Sequence, residues 1–371
     1  MTLSDLNLFK YATNELSQDA IICWIIAWAN SDDQSMKKLA IDVLGLFLDI
    51  HHEDPVILRN LESVKIQRQV DHVDILFTLY FENGQNMKII LEDKTNSSMH
   101  DDQLNRYSSA INDESGRVPL GIYFKSGLID DFEQESVNKS LYQIVTKNAF
   151  IKILEQHKTN IKSDIFQNYF DYLRDMMEME NSFEDIIASD NLQGNLQIFD
   201  SSIGQTVLMR KIFEPDKYKY GKLLSGTSFG RPWKQFYIQE AFNYRELPDA
   251  IFYRLDCRKD GYYIALRQHL WFDEQKRQNF LNGNNESTIF MEKKERLDKL
   301  IFCFEQAISH ASCIMIKPGR RSNKGKKESE IGVFFIGNIT SFTQLINDIS
   351  LFNEEFIKLI QIEFKYQLKP R

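Results

Sequence analysis

The stretch VDILFTLYFENGQNMKIILEDK, residues 73–94, decides how the first half of the chain folds. Its first nine residues, Val73–Phe81, place an apolar side chain at every second position, which predicts a β-strand. Asn83-Gly84 then interrupts the pattern and is a strong signal for a two-residue hairpin turn. Residues 87–94 form the returning strand. We therefore predict an antiparallel hairpin with charged residues at its open end.

The open end of this hairpin brings acidic and basic side chains together. Side chains alternate between the two faces of a strand, so Glu92 and Lys94 point the same way while Asp93 points away with Leu91. Asp74 lies on the neighbouring strand, and cross-strand neighbours are about 5 Å apart. Two carboxylates at that distance repel each other unless they share a cation, and Mg²⁺ accepts carboxylates, waters and phosphate oxygens. Such an ion polarises a phosphate and acidifies a bound water, which Lys94 is placed to orient.

A Glu-x-Lys triplet is a weak signal by itself, because the chain contains three others. They are Glu274–Lys276, Glu292–Lys294 and Glu363–Lys365. These fall in charged or helical contexts, where residues two apart do not share a face. Three alternatives remain open for the hairpin residues: Asp74 is a satisfied buried carboxylate, Glu92 with Lys94 is a plain surface ion pair, or Asp71 replaces Asp74 as the ligand.

Three segments, taken in order, resemble the PD-(D/E)XK nuclease superfamily. They are VDILF at residues 73–77, IILEDK at residues 89–94 and DQLNRY at residues 102–107. They are most similar to a bacterial branch that reads roughly R-I-D-I-L, then I-I-E-N-K, then Q-L-x-R-Y. The proline of the family name is absent, since His72-Val73 precede Asp74, but that position is variable in the superfamily.

The resemblance extends to the start of the chain and covers about residues 10–180. The branch tends to begin with a helix like NELSQDA at residues 14–20, which here runs into the apolar residues 23–29. The resemblance implies a restriction-endonuclease-like α/β fold, a mixed sheet flanked by helices, for residues 1–190. It also implies a Mg²⁺-dependent hydrolase that cleaves DNA, with Mn²⁺ as a substitute metal. A role in bacterial defence, alongside a protein partner, is implied by analogy alone.

The resemblance also assigns roles to individual residues. Asp74 and Glu92 would bind the metal together with the backbone carbonyl of Asp93, and Lys94 would activate water. The intact set of side chains argues against a second hypothesis, a non-catalytic nucleic-acid-binding or interaction protein on the same fold. An RNA nuclease is a third hypothesis.

Three further site residues are implied by the resemblance. Glu15 would approach the site from the first helix, although it could equally charge the first turn of that helix. Gln103 and Tyr107, four apart on one helical face, would match a Q-x-x-x-Y element and touch the site or the DNA. The alternative is that both are ordinary residues of a helix surface.

The rest of the first half alternates helical and extended patterns, which predicts a mixed α/β domain. Helices are predicted at residues 15–30, 34–50, 97–111, 142–156 and 165–179, and further strands at residues 64–69 and 120–125.

The pattern loosens near residues 187–194, where we place a domain boundary. Residues 191–371 then read as an α+β domain for recognition of a substrate or partner. Its predicted strands are residues 235–238, 251–255, 262–266, 313–316 and 331–336, and its predicted helices are residues 292–309 and the segment from about 341.

Charge is divided unequally between the two halves. Residues 1–190 hold 17 Lys and Arg against 32 Asp and Glu, a net −15, whereas the remainder hold 28 against 21, a net +7. An acidic half suits metal binding and a basic half suits a phosphate backbone. A basic loop in this half is predicted to bind DNA, and the alternative is that it is only a flexible solvated loop. Its basic residues are Lys317, Arg320, Arg321, Lys324, Lys326 and Lys327.

Composition is that of a globular protein, with 371 residues, 43% hydrophobic and 26% charged. Four cysteines without a C-x-x-C pair argue against a disulfide framework or a zinc site. The longest apolar run, residues 20–29, is about half a membrane span. Because no signal-peptide pattern is visible either, we expect a cytoplasmic protein.

Overall fold

The computed structural model describes residues 7–12, 15–70, 73–95, 104, 118–213, 221–228, 231–244, 247–270, 286–310, 316–318 and 328–364. The chain divides into two compact units, Met1–Met179 and Glu180–Arg371. The division falls before the predicted boundary at residue 190. Among the described residues, no helix is both long and apolar enough to span a membrane.

The first unit is a five-stranded mixed sheet flanked by helices. In chain order its elements are α1 (Glu15–Ala27), α2 (Gln34–Asp49), β1 (Leu61–Val70), β2 (Val73–Phe81), β3 (Asn86–Lys94), β4 (Leu120–Lys125), α3 (Asp131–Asn138), β5 (Tyr142–Thr146), α4 (Lys147–His157) and α5 (Asp164–Ala188), which continues past residue 179. The strands lie in the order β1-β2-β3-β4-β5. β2 is antiparallel to both of its neighbours, β1 and β3, whereas β3, β4 and β5 run parallel to one another. The predicted mixed α/β class is thus confirmed.

The alternation that predicted β2 also determines its two faces. Ile75, Phe77, Leu79 and Phe81 join a large apolar cluster that includes residues of α1, α2, α4 and α5. The intervening Leu76 joins a smaller cluster with Ile90 and Tyr123 on the opposite face. Because both faces are covered, β2 and β3 are buried almost along their whole length.

The turn between β2 and β3 differs from the prediction. The Phe81 amide donates to the Gln85 carbonyl at 3.0 Å, and the Gly84 amide donates to the Phe81 carbonyl at 2.9 Å, which makes a three-residue loop. Gly84 has φ +77°, but Asn83 is not among the residues with positive φ. A two-residue type I′ turn needs positive φ at both central positions. The prediction of a two-residue turn was therefore wrong.

A second correction concerns residues 142–146. The predicted helix over residues 142–156 is in fact the edge strand β5 followed by α4. Thr146 separates them, because its side chain caps α4 by accepting from the Ala149 amide. α3 was not predicted, although its capping box of Asp130 and Glu133 is a recognisable start signal.

The second unit contains a six-stranded antiparallel sheet. Its elements are α6 (Ser202–Ile212), β6 (Lys222–Ser228), β7 (Arg231–Tyr244), β8 (Leu247–Arg258), β9 (Gly261–Leu270), α7 (Glu286–His310), β10 (Ile316–Pro318), β11 (Glu328–Phe335) and α8 (Phe342–Phe364). The strand order is β10-β11-β9-β8-β7-β6. The predicted strands and helices of this half are present, except that residues 313–315 lie outside the described part. α6 and β6 were not predicted.

Candidate active site

The register of β2 and β3 places two acidic residues side by side. Ile75 pairs with Leu91, so Asp74 and Glu92, the next residues outward on each strand, are cross-strand neighbours. The Asp93 amide donates to Asp74 Oδ2 at 3.2 Å, which holds the two strand ends together. The predicted meeting of Asp74 and Glu92 is therefore observed.

Lys94 lies among carboxylates from three different elements. Its Nζ is 2.5 Å from Glu92 Oε1 on β3, 3.9 Å from Asp74 Oδ2 on β2 and 3.9 Å from Glu15 Oε2 on α1. The Lys94 side chain is 8% exposed and that of Glu92 is 0% exposed, whereas Asp74 and Glu15 are 29% and 36% exposed. The alternative that Glu92 and Lys94 form a surface ion pair is therefore wrong. The site is a buried pair that opens to solvent past Asp74 and Glu15.

Burial and charge act in opposite directions on these groups. Burial raises the pKa of Glu92 to about 7, with a further contribution from Asp74, although Lys94 opposes the change. Burial also acts to lower the pKa of Lys94, but Glu92, Glu15 and Asp74 outweigh it, so that this pKa is raised. Lys94 is therefore a firmly charged ammonium, and it does not neutralise all of the acidic groups around it.

The side chain of Asp93 lies on the other face of the sheet, as predicted. It is fully buried and accepts a hydrogen bond from Gln18 Nε2 of α1. Burial raises its pKa well above the ordinary value, although the bond from Gln18 opposes this and the nearby Asp19 adds to it. The pKa of Asp19 itself is raised to about 6, mainly by burial and next by repulsion from the charge of Asp74. Asp93 therefore has a structural side chain behind the site.

The donor set at the site fits a hard divalent cation. Among the residues described, no group of three or more His, Cys, Asp and Glu side chains is placed to hold a metal ion. The expected set is smaller, two carboxylates and one backbone carbonyl, and oxygen is the donor that Mg²⁺ prefers. Asp74 Oδ2 and Glu92 Oε1 both lie within 3.9 Å of Lys94 Nζ, and repulsion from Asp74 adds to the larger effect of burial in raising the pKa of Glu92, against the opposing charge of Lys94. A cation would relieve that repulsion.

A second buried ion pair adjoins the site and was not predicted. Lys94 is level with Lys125 on the parallel strand β4. Lys125 Nζ contacts Glu133 Oε1 of α3, which also accepts from the Tyr123 hydroxyl at 3.0 Å. The Asp130 amide donates to the other Glu133 oxygen at 3.0 Å. Lys94 and Lys125 are therefore each paired with a buried glutamate.

Gln103, Tyr107 and the alternative ligand Asp71 lie outside the described residues, as do five of the six basic loop residues. These five are Arg320, Arg321, Lys324, Lys326 and Lys327. The sixth, Lys317, has its backbone in β10, paired with Val333 of β11.

The second unit has a cavity of about 700 Å³. Three arginines beside or lining it are neutralised by acidic side chains. Asp256 accepts from Arg254, Arg258 and Arg267, and Glu328 and Glu330 complete the network. These arginines therefore contribute little positive potential toward a phosphate.

Comparisons with protein families, with curated proteins and with solved structures found no match to this chain.

Proposed function

We propose that the first unit is a metal-dependent nuclease of the restriction-endonuclease-like kind that hydrolyses DNA phosphodiester bonds. One observation carries the proposal: a buried lysine ammonium lies within 3.9 Å of carboxylates from α1, β2 and β3. Burying ionised groups is costly unless they are paired or hold a cation. A site that gathers three carboxylates around one lysine and leaves two of them open to solvent is suited to chemistry rather than to packing.

Each residue has a distinct role in this proposal. Asp74 and Glu92 would hold a divalent cation together with the backbone carbonyl of Asp93. A bound Mg²⁺ supplies Lewis-acid chemistry, polarising the phosphate and acidifying water. Lys94 donates from Nζ and thereby orients the attacking water and stabilises negative charge on the phosphate oxygens. Glu15 keeps the Lys94 ammonium directed toward the open side of the site.

A role in defence against foreign DNA, together with a protein partner, rests on the resemblance to the bacterial branch and not on the geometry of the site. RNA as the substrate is tested in the same assay, because Asp74, Glu92 and Lys94 would act on the phosphate group, which DNA and RNA share.

The test is cleavage of supercoiled plasmid, linear duplex and single-stranded DNA and of RNA, each with Mg²⁺, Mn²⁺ or EDTA. We expect cleavage with either metal and none with EDTA. Glu92→Gln should abolish it, whereas Glu292→Gln, in another Glu-x-Lys triplet, should not. Absence of cleavage of every substrate in both metals would favour the non-catalytic binding hypothesis, and cleavage by Glu92→Gln would mean that the active site lies elsewhere.

A further inference from the structure

Gln18 is a buried amide that connects α1 to the end of β3. It is 3% exposed, and its Nε2 donates to Asp93 Oδ1 and, at 3.4 Å, to the Lys94 carbonyl. Both acceptors belong to the strand end that carries Glu92 and Lys94. Gln18 itself approaches from the face opposite Glu92, so it is not positioned to contact a substrate there.

The pairing of Gln18 with Asp93 is not explained by stability. Burying an amide and a carboxyl costs free energy that hydrogen bonds recover only when each polar atom is satisfied. Within the described part of the chain, Gln18 Oε1 and Asp93 Oδ2 have no hydrogen-bond partner. Apolar residues of similar size would fill the same space at lower cost.

The backbone of residues 93 and 94 is held from three directions. The Asp93 amide donates to Asp74 Oδ2 at 3.2 Å, and the Lys94 carbonyl accepts from the Ser126 amide of the segment after β4 at 3.2 Å. Gln18 adds the third connection, and it is the only one of the three made by a side chain of α1. Without it, the orientation of the two peptide units would depend on the sheet alone.

We infer that Gln18 is a positioning residue that orients the end of β3. It keeps the Asp93 carbonyl and the side chains of Glu92 and Lys94 in the arrangement that receives a divalent cation. This inference rests on the proposed function, because a metal site is what the orientation serves. Residues that orient metal ligands in this indirect way typically change metal affinity 10–100-fold when they are replaced.

The test compares Gln18→Met, which keeps the volume but removes the donors, with the double variant Gln18→Met/Asp93→Leu, which makes the pair apolar. Mn²⁺ affinity is measured by calorimetry and folding by thermal unfolding in EDTA. We expect at least about 10-fold weaker Mn²⁺ binding in both variants, with the double variant melting no lower than wild type. Gln167→Met is the control, because Gln167 Nε2 also donates to two backbone carbonyls in this unit, those of Lys158 and Ile161, but away from the site.

The outcomes separate the inference from the proposed function. If wild type binds no Mn²⁺, the proposed function fails and the inference fails with it. If wild type binds Mn²⁺ and the double variant binds it equally well, Gln18 does not position the site, although the proposed function stands. A lower melting temperature with unchanged Mn²⁺ affinity would show that Gln18 has only a structural role. At saturating Mn²⁺, a fall in kcat without a change in KM for DNA would be the kinetic sign of positioning.

Discussion

Replacing Glu92 with Gln should change how the stability of the first unit depends on pH. Glu92 is fully buried, and burial raises its pKa from an ordinary 4.5 to about 7. A carboxyl whose pKa is higher in the folded chain favours folding while it is protonated. Its contribution is therefore fully present below about pH 4.5 and is lost as the pH rises through about 7.

The size of this effect follows from the same values. A tenfold change in a protonation constant is worth about 1.4 kcal/mol, so the difference between 4.5 and about 7 corresponds to about 3 kcal/mol. Gln cannot titrate. In Glu92→Gln the fall in the free energy of unfolding between pH 4.5 and 8 should therefore be smaller than in wild type by about 3 kcal/mol. Asp19 and Asp93 remain in both proteins and leave a residual decrease in the same direction.

The assay is urea unfolding in EDTA at several pH values, followed by amide hydrogen exchange of β3 so that the first unit is observed. Glu363→Gln is the control, since Glu363 is also paired with a lysine, Lys299 at 2.7 Å, but is about one-third exposed. It should keep the wild-type pH dependence. An identical pH dependence in wild type and Glu92→Gln would refute the reasoning, because the buried carboxyl would then not be the titrating group.

Three other outcomes are expected. Lys94→Ala should reduce cleavage by at least about 100-fold, the usual scale for removing a group that stabilises charge in the transition state. DNA binding, measured by filter assay, should change little. Full activity would exclude Lys94 from the mechanism. Asp74→Ala should weaken Mn²⁺ binding in calorimetry, and unchanged affinity would place the metal elsewhere. Neutralising the six basic residues in 317–327 of the full chain should reduce the magnitude of the negative slope of log K against log[salt] by about 0.9 for each DNA phosphate that those side chains bind in wild type. An unchanged slope would mean that the DNA surface lies elsewhere.

The hairpin that carries the site could be predicted because its signals are local. A period of two in the apolar residues specifies both the strand and its two faces, and Val73–Phe81 is observed as predicted. The error in the turn is instructive, because turn length sets register. A two-residue turn at Asn83-Gly84 would pair Glu82 with Gln85 and so place Asp74 opposite Asp93. The third loop residue shifts the register by one and brings Glu92 beside Asp74 instead.

The missed parts of the site depend on contacts distant in sequence. Gln18 is 75 residues from Asp93, and only the packing of α1 on the sheet brings them together. The sequence around Lys125 and Glu133 resembles that of surface residues. Both are nevertheless buried, because β4 lies beside β3 in the sheet and α3 packs Glu133 against Lys125. Residues 142–146 fall within the helix predicted over residues 142–156, but they form the strand β5. Pairing with β4 overrides that local preference.

The contacts within each unit show where the excess acidic and basic side chains lie. In the acidic first half, part of the excess is concentrated where Asp74, Glu15 and Asp19 lie close enough for their charges to interact. In the basic second half, three arginines are already neutralised internally by Asp256, Glu328 and Glu330. The charge of an arginine in such a network is already balanced by a carboxylate, so its attraction for a phosphate is reduced. A DNA-binding surface of the second unit is therefore expected among basic residues outside the network, and residues 317–327 carry six of them.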